Sequence, residues 1–113
     1  MSVSMTMKVT EDNTEEIMRL AETAVITALE AVGLQAEMYA KRKCPVDTGR
    51  LRNSITHGGD TQGLTAYIGT NVEYAPYVEY GTRKTKAQPF LKPAANNHQG
   101  EYRDIFQYYL ENA

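Results

Sequence analysis

The sequence predicts an α+β fold: a long N-terminal helix and a C-terminal helix packed on a small antiparallel sheet, with a long mobile loop. Three observations predict it. Apolar residues recur at spacings of three and four over about residues 13–43 and again over about 92–111, the period of a helix face. Between these segments, two strand-like stretches flank a glycine-rich turn, the pattern of a hairpin. The chain has 113 residues, which suits one domain over 1–113 with a core that needs no staple.

The elements follow in order. Val3, Met5 and Met7 alternate with Ser4, Thr6 and Lys8, so a short strand is expected from Ser4 to Val9. The long helix follows. Asp12 or Asn13 can cap it, and Glu15 and Glu16 favour the positive end of its dipole. Its expected inner face is Ile17, Leu20, Ala21, Ala24, Ala28, Ala31, Val32, Gln35, Ala36 and Tyr39. Gly33 marks either a close contact or a bend. Lys41, Arg42 and Lys43 suit the negative helix end, and Pro45 stops the helix at Cys44.

A compact β region is expected next. Leu51 to His57 is one strand and Leu64 to Thr70 the other, with Gly58 to Gly63 as the turn. Asn71 to Tyr80 reads as a loop with a helical turn at Ala75–Glu79, ended by Gly81. Thr82 to Gln88 is polar and basic and is expected to be the mobile loop. Pro89, Phe90 and Leu91 should return to the sheet. Pro93 can sit in the first turn of a last helix over about 92–111, with Tyr102, Ile105, Phe106, Tyr109 and Leu110 as its apolar stripe.

Composition excludes several classes. Hydrophobic residues make up 42% and charged residues 23%, ordinary for a globular protein and against disorder. No apolar run approaches the roughly 18 residues of a bilayer span, and Met1 to Met5 does not read as a signal peptide. Cys44 is the single cysteine, so no internal disulfide forms, which suits a reducing compartment. The net charge of −2 gives no global attraction to nucleic acid or membrane. Charge is nevertheless segregated. Acids crowd residues 1–40, and cations crowd 41–92 in two clusters, Lys41 to Lys43 with Arg50 and Arg52, and Arg83, Lys84, Lys86 with Lys92. An acidic and a basic side would suit head-to-tail packing; two solvated surfaces are the plainer alternative.

Catalytic constellations are weak. Asp47-Thr48-Gly49 matches the aspartic-protease tripeptide, which makes an aspartic-type hydrolase a remote alternative. That chemistry needs two buried aspartates sharing a proton. Here a basic helix end and Pro45 lead in, and Arg50 and Arg52 follow at once, which would hold Asp47 ionised. Asp47 is better read as capping a turn at Gly49. His57 and His98 lack neighbours at ligand spacing, so no metal is expected and both should lie at the surface. Ser54 has no adjacent base. Gly58-Gly59 is not a phosphate loop, and no cofactor is expected. A small DNA-binding or regulatory module is the other alternative, but the basic clusters are short and the chain is acidic overall. Tyr74, Tyr77 and Tyr80 crowd one short segment; tyrosines there either close the core or face a partner.

These residues add up to a pattern. Cys44-Pro45-Val46-Asp47-Thr48-Gly49-Arg50-Leu51-Arg52-Asn53-Ser54-Ile55 resembles the signature of phage head–tail joining proteins, also called tail-completion, neck or minor capsid proteins, of long-tailed phages. Tyr74-Ala75-Pro76-Tyr77-Val78-Glu79-Tyr80-Gly81-Thr82, a basic loop, then Gln88-Pro89-Phe90-Leu91-Lys92-Pro93-Ala94 is similar to the family's other block. The resemblance implies a non-enzymatic virion component, assembled in the bacterial cytoplasm and located at the head–tail junction. Its implied partners are itself in a ring, often hexameric, the head connector or stopper, and tail-tube or tail-terminator proteins, with no membrane. A basic loop lining a channel through which DNA passes is compatible with it. The family blocks would carry the structure: Gly49 and Gly81 for sharp turns, Glu79 paired with Arg50 to lock the two blocks together, Phe90 as an anchor. Arg83, Lys84 and Lys86 would form an assembly loop.

Overall fold

The computed structural model describes residues 1–7 and 22–112. In chain order the elements are β1 (Ser2–Thr6), α1 (Glu22–Lys43), α2 (Arg50–Ser54), β2 (Thr56–Asp60), β3 (Thr65–Gly69), α3 (Ala75–Tyr80), α4 (Leu91–Asn96) and α5 (Gln99–Glu111). The three strands form an antiparallel sheet in the order β1-β3-β2. The α+β class is therefore as the sequence predicts. The caps at Asp12 or Asn13, and Ile17, Leu20 and Ala21, lie outside the described residues.

One side of the sheet faces the helices. In register, Val3 pairs with Ile68 and Ile68 with His57; Met5 pairs with Ala66 and Ala66 with Gly59. Met5, Ala66 and Ile68 are buried there, as strand alternation requires. α1 runs against β2, β3 and α5, and α4 packs on β1. The buried face of α1 is Val25, Ala28, Leu29, Val32, Gly33, Ala36 and Ala40. The expected stripe is thus slightly rotated: Val25, Leu29 and Ala40 enter the core, while Ala24, Ala31, Gln35 and Tyr39 flank it. Gly33 is a close contact. A Cβ there would lie 2.8 Å from the His57 ring, so only glycine lets β2 approach this closely.

Four expectations are corrected. First, β1 begins at Ser2, two residues earlier than predicted. Second, Leu51 to His57 is not one strand. Arg50–Ser54 is a short helix entered from Gly49 at φ 88°, which sends Leu51 and Ile55, four residues apart, into the core. Third, Gly58 and Gly59 lie inside β2 rather than in the turn. The Tyr67 ring lies over Gly58 and Leu29 of α1 over Gly59, so neighbouring side chains fill the space the glycines leave. Fourth, Pro89, Phe90 and Leu91 do not return to the sheet. Phe90 is buried as the residue before α4, and α4 is separated from α5 at Asn97 and His98. α5 then buries Tyr102, Phe106 and Leu110, with Tyr109 exposed. The Tyr102 hydroxyl donates to the Ala94 carbonyl, and its burial pushes the phenol pKa well up.

Candidate functional site

The two motif blocks meet beyond the C-terminal end of α1. The first block leaves that helix at Cys44, whose N–H donates to the Ala40 carbonyl at 2.9 Å. Burial raises the Cys44 thiol pKa against a smaller opposing pull from Arg52. The chain then turns through Pro45 to Gly49. The turn bond expected of Asp47 is made by its neighbour: Thr48 Oγ accepts the Arg50 N–H at 3.3 Å, while Asp47 is exposed. A proton-sharing aspartate would have to be buried.

Ser54 locks this block to the sheet. It donates to the Leu51 carbonyl at 2.6 Å, and its oxygen lies 2.6 Å from Thr70 Oγ. Ser54 has only one hydroxyl hydrogen, so Thr70 donates in that second bond. Thr70 Oγ in turn accepts the Val72 N–H at 3.1 Å. The hydroxyl that might have served as a nucleophile is thus committed to fixing the chain.

The second block is held from two sides. Arg50 does not pair with Glu79. Its guanidinium forks onto Glu73, at 3.1 and 3.0 Å, and stands 5.5 Å from the Tyr74 ring centre. The Glu73 carboxylate raises the Arg50 pKa, and Arg50 lowers that of Glu73. Glu79, 2% exposed, points the other way. Its Oε1 accepts the N–H groups of Phe90 and Leu91 at 3.1 and 2.9 Å, and Oε2 that of Lys92 at 3.3 Å. Those amides begin α4 and have no partner within the helix, so Glu79 caps a helix that lies a loop away in sequence. Pro93 falls in the same first turn, where its missing N–H costs nothing.

The loop between them is irregular but pinned. Gly81 takes φ 78°, and a Cβ there would lie 2.7 Å from the Ala87 nitrogen. Thr82 N–H donates to the Thr85 carbonyl at 2.9 Å, and Gln88 N–H to the Val78 carbonyl at 2.8 Å. Thr82 Oγ accepts the N–H groups of Lys84 and Thr85. Arg83, Lys84 and Lys86 all project into solvent. Lys92 Nζ lies 4.6 Å from the Tyr80 ring centre.

The result is one continuous surface. Val46, Tyr77 and Tyr80 are 56%, 63% and 58% exposed. Two shallow hollows of about 200 and 270 Å³ share Pro45, Tyr74 and Val78 as walls. One is closed by loop residues Thr82, Thr85 and Lys86, the other by Asp47 to Gly49 and Leu51. Tyr74 is half-buried, whereas Tyr77 and Tyr80 stand out, with Lys86 on the same hollow as Tyr77 and Lys92 over the Tyr80 ring. Large rigid side chains with polar tips beside guanidinium and ammonium groups are the composition of a protein-binding patch.

The histidines lie elsewhere. His98 stacks on Tyr39 with ring centres 3.7 Å apart, and the Tyr39 hydroxyl donates to Glu101 at 2.6 Å. His57, contrary to expectation, is not a free surface residue. Its Nδ1 lies 3.0 Å from Glu37 and its Nε2 2.6 Å from Glu30. Two histidine nitrogens facing carboxylates signal a charged ring, and nothing in the sequence spacing of 30, 37 and 57 pointed to it. Among the described residues, no group of metal-binding side chains gathers, and no helix is long and apolar enough to cross a membrane.

The family model described as "Bacteriophage HK97-gp10, putative tail-component" matches residues 8–81, more than half of the chain. The matched span takes in the first motif block and the tyrosine segment as far as Gly81; the loop and α4 follow it. No curated protein and no solved structure matches the chain significantly.

Proposed function

The chain belongs to the HK97-gp10-like family of bacteriophage tail components, and on that premise we propose that it joins or closes the tail at the head–tail interface as one subunit of an oligomeric ring. The role is structural and not catalytic. The observation that carries this reading is the surface built jointly by both motif blocks, with Val46, Tyr77 and Tyr80 exposed, Lys86 beside Tyr77 and Lys92 over the Tyr80 ring. An isolated subunit gains nothing from holding large apolar side chains in water; a subunit that buries them on assembly does.

The motif residues divide into three groups. Gly49, Leu51, Ser54, Glu79, Gly81 and Phe90 build the surface from beneath, and Pro45, Thr48, Arg50, Tyr74, Tyr77, Thr82 and the loop cations present it. Ala75, Pro89 and Pro93 shape α3 and α4. The partners are further copies of the chain, the head connector or stopper, and the tail-tube or tail-terminator proteins.

Native mass spectrometry of the purified protein, alone and mixed with isolated tails, tests this. A closed oligomer, formed alone or on the tail end, is expected. A strict monomer that binds neither tails nor heads would overturn the reading.

A further inference from the structure

The sheet has two different rims, β1 and β2, and a ring of identical subunits needs two different patches on each copy. We infer that the rim of β2 in one copy pairs with the rim of β1 in the next, so that the sheet runs on from subunit to subunit. The inference rests on the ring reading above and adds how neighbouring copies meet.

Hydrogen bonding fixes which backbone groups face outward. The Met1 ammonium donates to the Thr70 carbonyl, and the Thr70 N–H to the Met1 carbonyl, each at 3.0 Å. At the other end of β1 the Met7 N–H donates to the Leu64 carbonyl at 2.8 Å. Antiparallel pairs alternate between bonded and non-bonded, so Val3 and Met5 also bond to β3, opposite Ile68 and Ala66. Ser2, Ser4 and Thr6 therefore turn their N–H and C=O groups away from β3. By the same alternation β3 bonds β2 through Thr65, Tyr67 and Gly69, opposite Asp60, Gly58 and Thr56. His57 and Gly59 then point theirs outward. Among the described residues, no backbone group from outside the sheet bonds these five.

Neither rim carries the usual guards. Strand edges are normally blunted by lysine, proline or a bulge. β1 and β2 contain no lysine and no proline, and both pair with β3 residue for residue. His57, in the middle of β2, is turned to α1 and held by Glu30 and Glu37. A hollow of about 190 Å³ opens beside β1, walled by Ser4 to Met7 and by Asn96, Gln99 and Arg103. Residues of both strand faces line it, so it follows the rim.

The two rims fit each other. Both strands run antiparallel to β3 and so parallel to one another. Through β3, His57 lies level with Val3 and Gly59 with Met5. A neighbour added without stagger sets His57 between Ser2 and Ser4 of the next copy, and Gly59 between Ser4 and Thr6. That is the offset a parallel ladder requires, and it keeps the helices of both copies on one side. Asp60 comes level with Thr6 of the next copy, at the hollow that Arg103 lines, so an acid meets a cation. On the helix side, Ile26 shares a line of α1 with Glu30, Gly33 and Glu37, which face His57. Ile26 is 49% exposed, and α4 of the next copy, packed on its own β1, arrives on that side. The contact uses no residue of the motif surface.

Disulfide trapping tests this on the full chain. Ser2 and Thr56 are exposed and level with each other on the outer face of the sheet. Within one copy they stand two strands apart, about 10 Å, too far for a disulfide; across the contact they stand about 5 Å apart. Ser2→Cys and Thr56→Cys are made separately, and each is checked for unchanged melting; Cys44, 4% exposed, stays silent. Mixed under mild oxidation, alone or on isolated tails, they should give a covalent dimer that neither gives by itself. A dimer from either variant alone would overturn the inference in favour of a two-fold contact between like rims. A protein that assembles but gives no mixed disulfide overturns the inference and leaves the ring reading standing. A protein that does not self-associate in either setting overturns both. Ser4→Pro removes an outward N–H that the subunit's own sheet does not use. It should keep the fold and weaken assembly about tenfold or more; assembly at parent strength would count against the shared sheet.

Discussion

Glu79 Oε1 accepts the backbone N–H of Leu91 at 2.9 Å inside the protein. One carboxylate on α3 thereby sets where α4 begins and how the basic loop between them is spanned. With Phe90 and Lys92 it satisfies three amides at once. Glu79→Gln keeps the shape but sets an NH₂ donor against amides that need an acceptor. A loss on the order of 2 kcal/mol is expected, read by chemical denaturation, and Glu79→Ala should cost more. An unchanged unfolding midpoint for either would contradict the capping role.

Gly81 and Gly100 should respond in opposite directions. Gly81 has φ 78° and no room for a Cβ beside Ala87, so Gly81→Val combines backbone strain with a clash. It should lower stability by several kcal/mol, beyond the ~1 kcal/mol of a simple propensity change. Gly100 lies in α5, and a Cβ added there would meet nothing within 4 Å. Gly100→Ala should raise stability by up to about 1 kcal/mol. Thermal melts of the two variants beside the parent protein provide the check.

His57 gives stability a pH dependence. Burial works against charging the ring, and the hydrogen bonds that the ring nitrogens donate to the Glu37 and Glu30 carboxylates, with their charge, outweigh it, so the pKa is raised. A raised folded value means that the stabilisation is fully present below the ordinary histidine pKa of about 6.5 and is lost as pH rises through the folded value. The stability gap between the parent protein and His57→Gln should therefore shrink on going from about pH 6 to about pH 9. A gap that stays constant or widens would contradict the carboxylate cage.

The loop cations should matter for assembly and not for folding. Arg83, Lys84 and Lys86 are exposed, and exposed substitutions away from special contacts stay within about 0.5 kcal/mol. Replacing all three with Ala should leave the melting temperature unchanged and weaken self-association, most visibly at low salt. A large drop in melting temperature would mean that the loop side chains hold the fold.

Much of this was legible in the sequence. The helical turn around Ala75–Glu79, the sharp turn at Gly81 and the strand of the hairpin within Leu64 to Thr70 follow from turn chemistry and periodicity. The partner of Arg50 did not. Glu73 and Glu79 lie six residues apart, and charge pattern cannot choose between them. The fold chooses: Glu73 precedes α3 and stays outside, while the turn of α3 carries Glu79 inward to α4. Gly58 and Gly59 were misplaced for a related reason. Two glycines are turn residues by composition, and they are strand residues here because Tyr67 and Leu29 fill the space above them. The His57 cage joins α1 to β2 across the sequence, so only the packed structure brings its members together.

Electron micrographs of a phage deleted for this gene, with and without the gene supplied in trans, test the role at the head–tail interface. Filled heads and separate, finished tails that fail to join are expected, restored to whole virions by complementation. Correctly joined, infectious particles in the absence of the gene would contradict it.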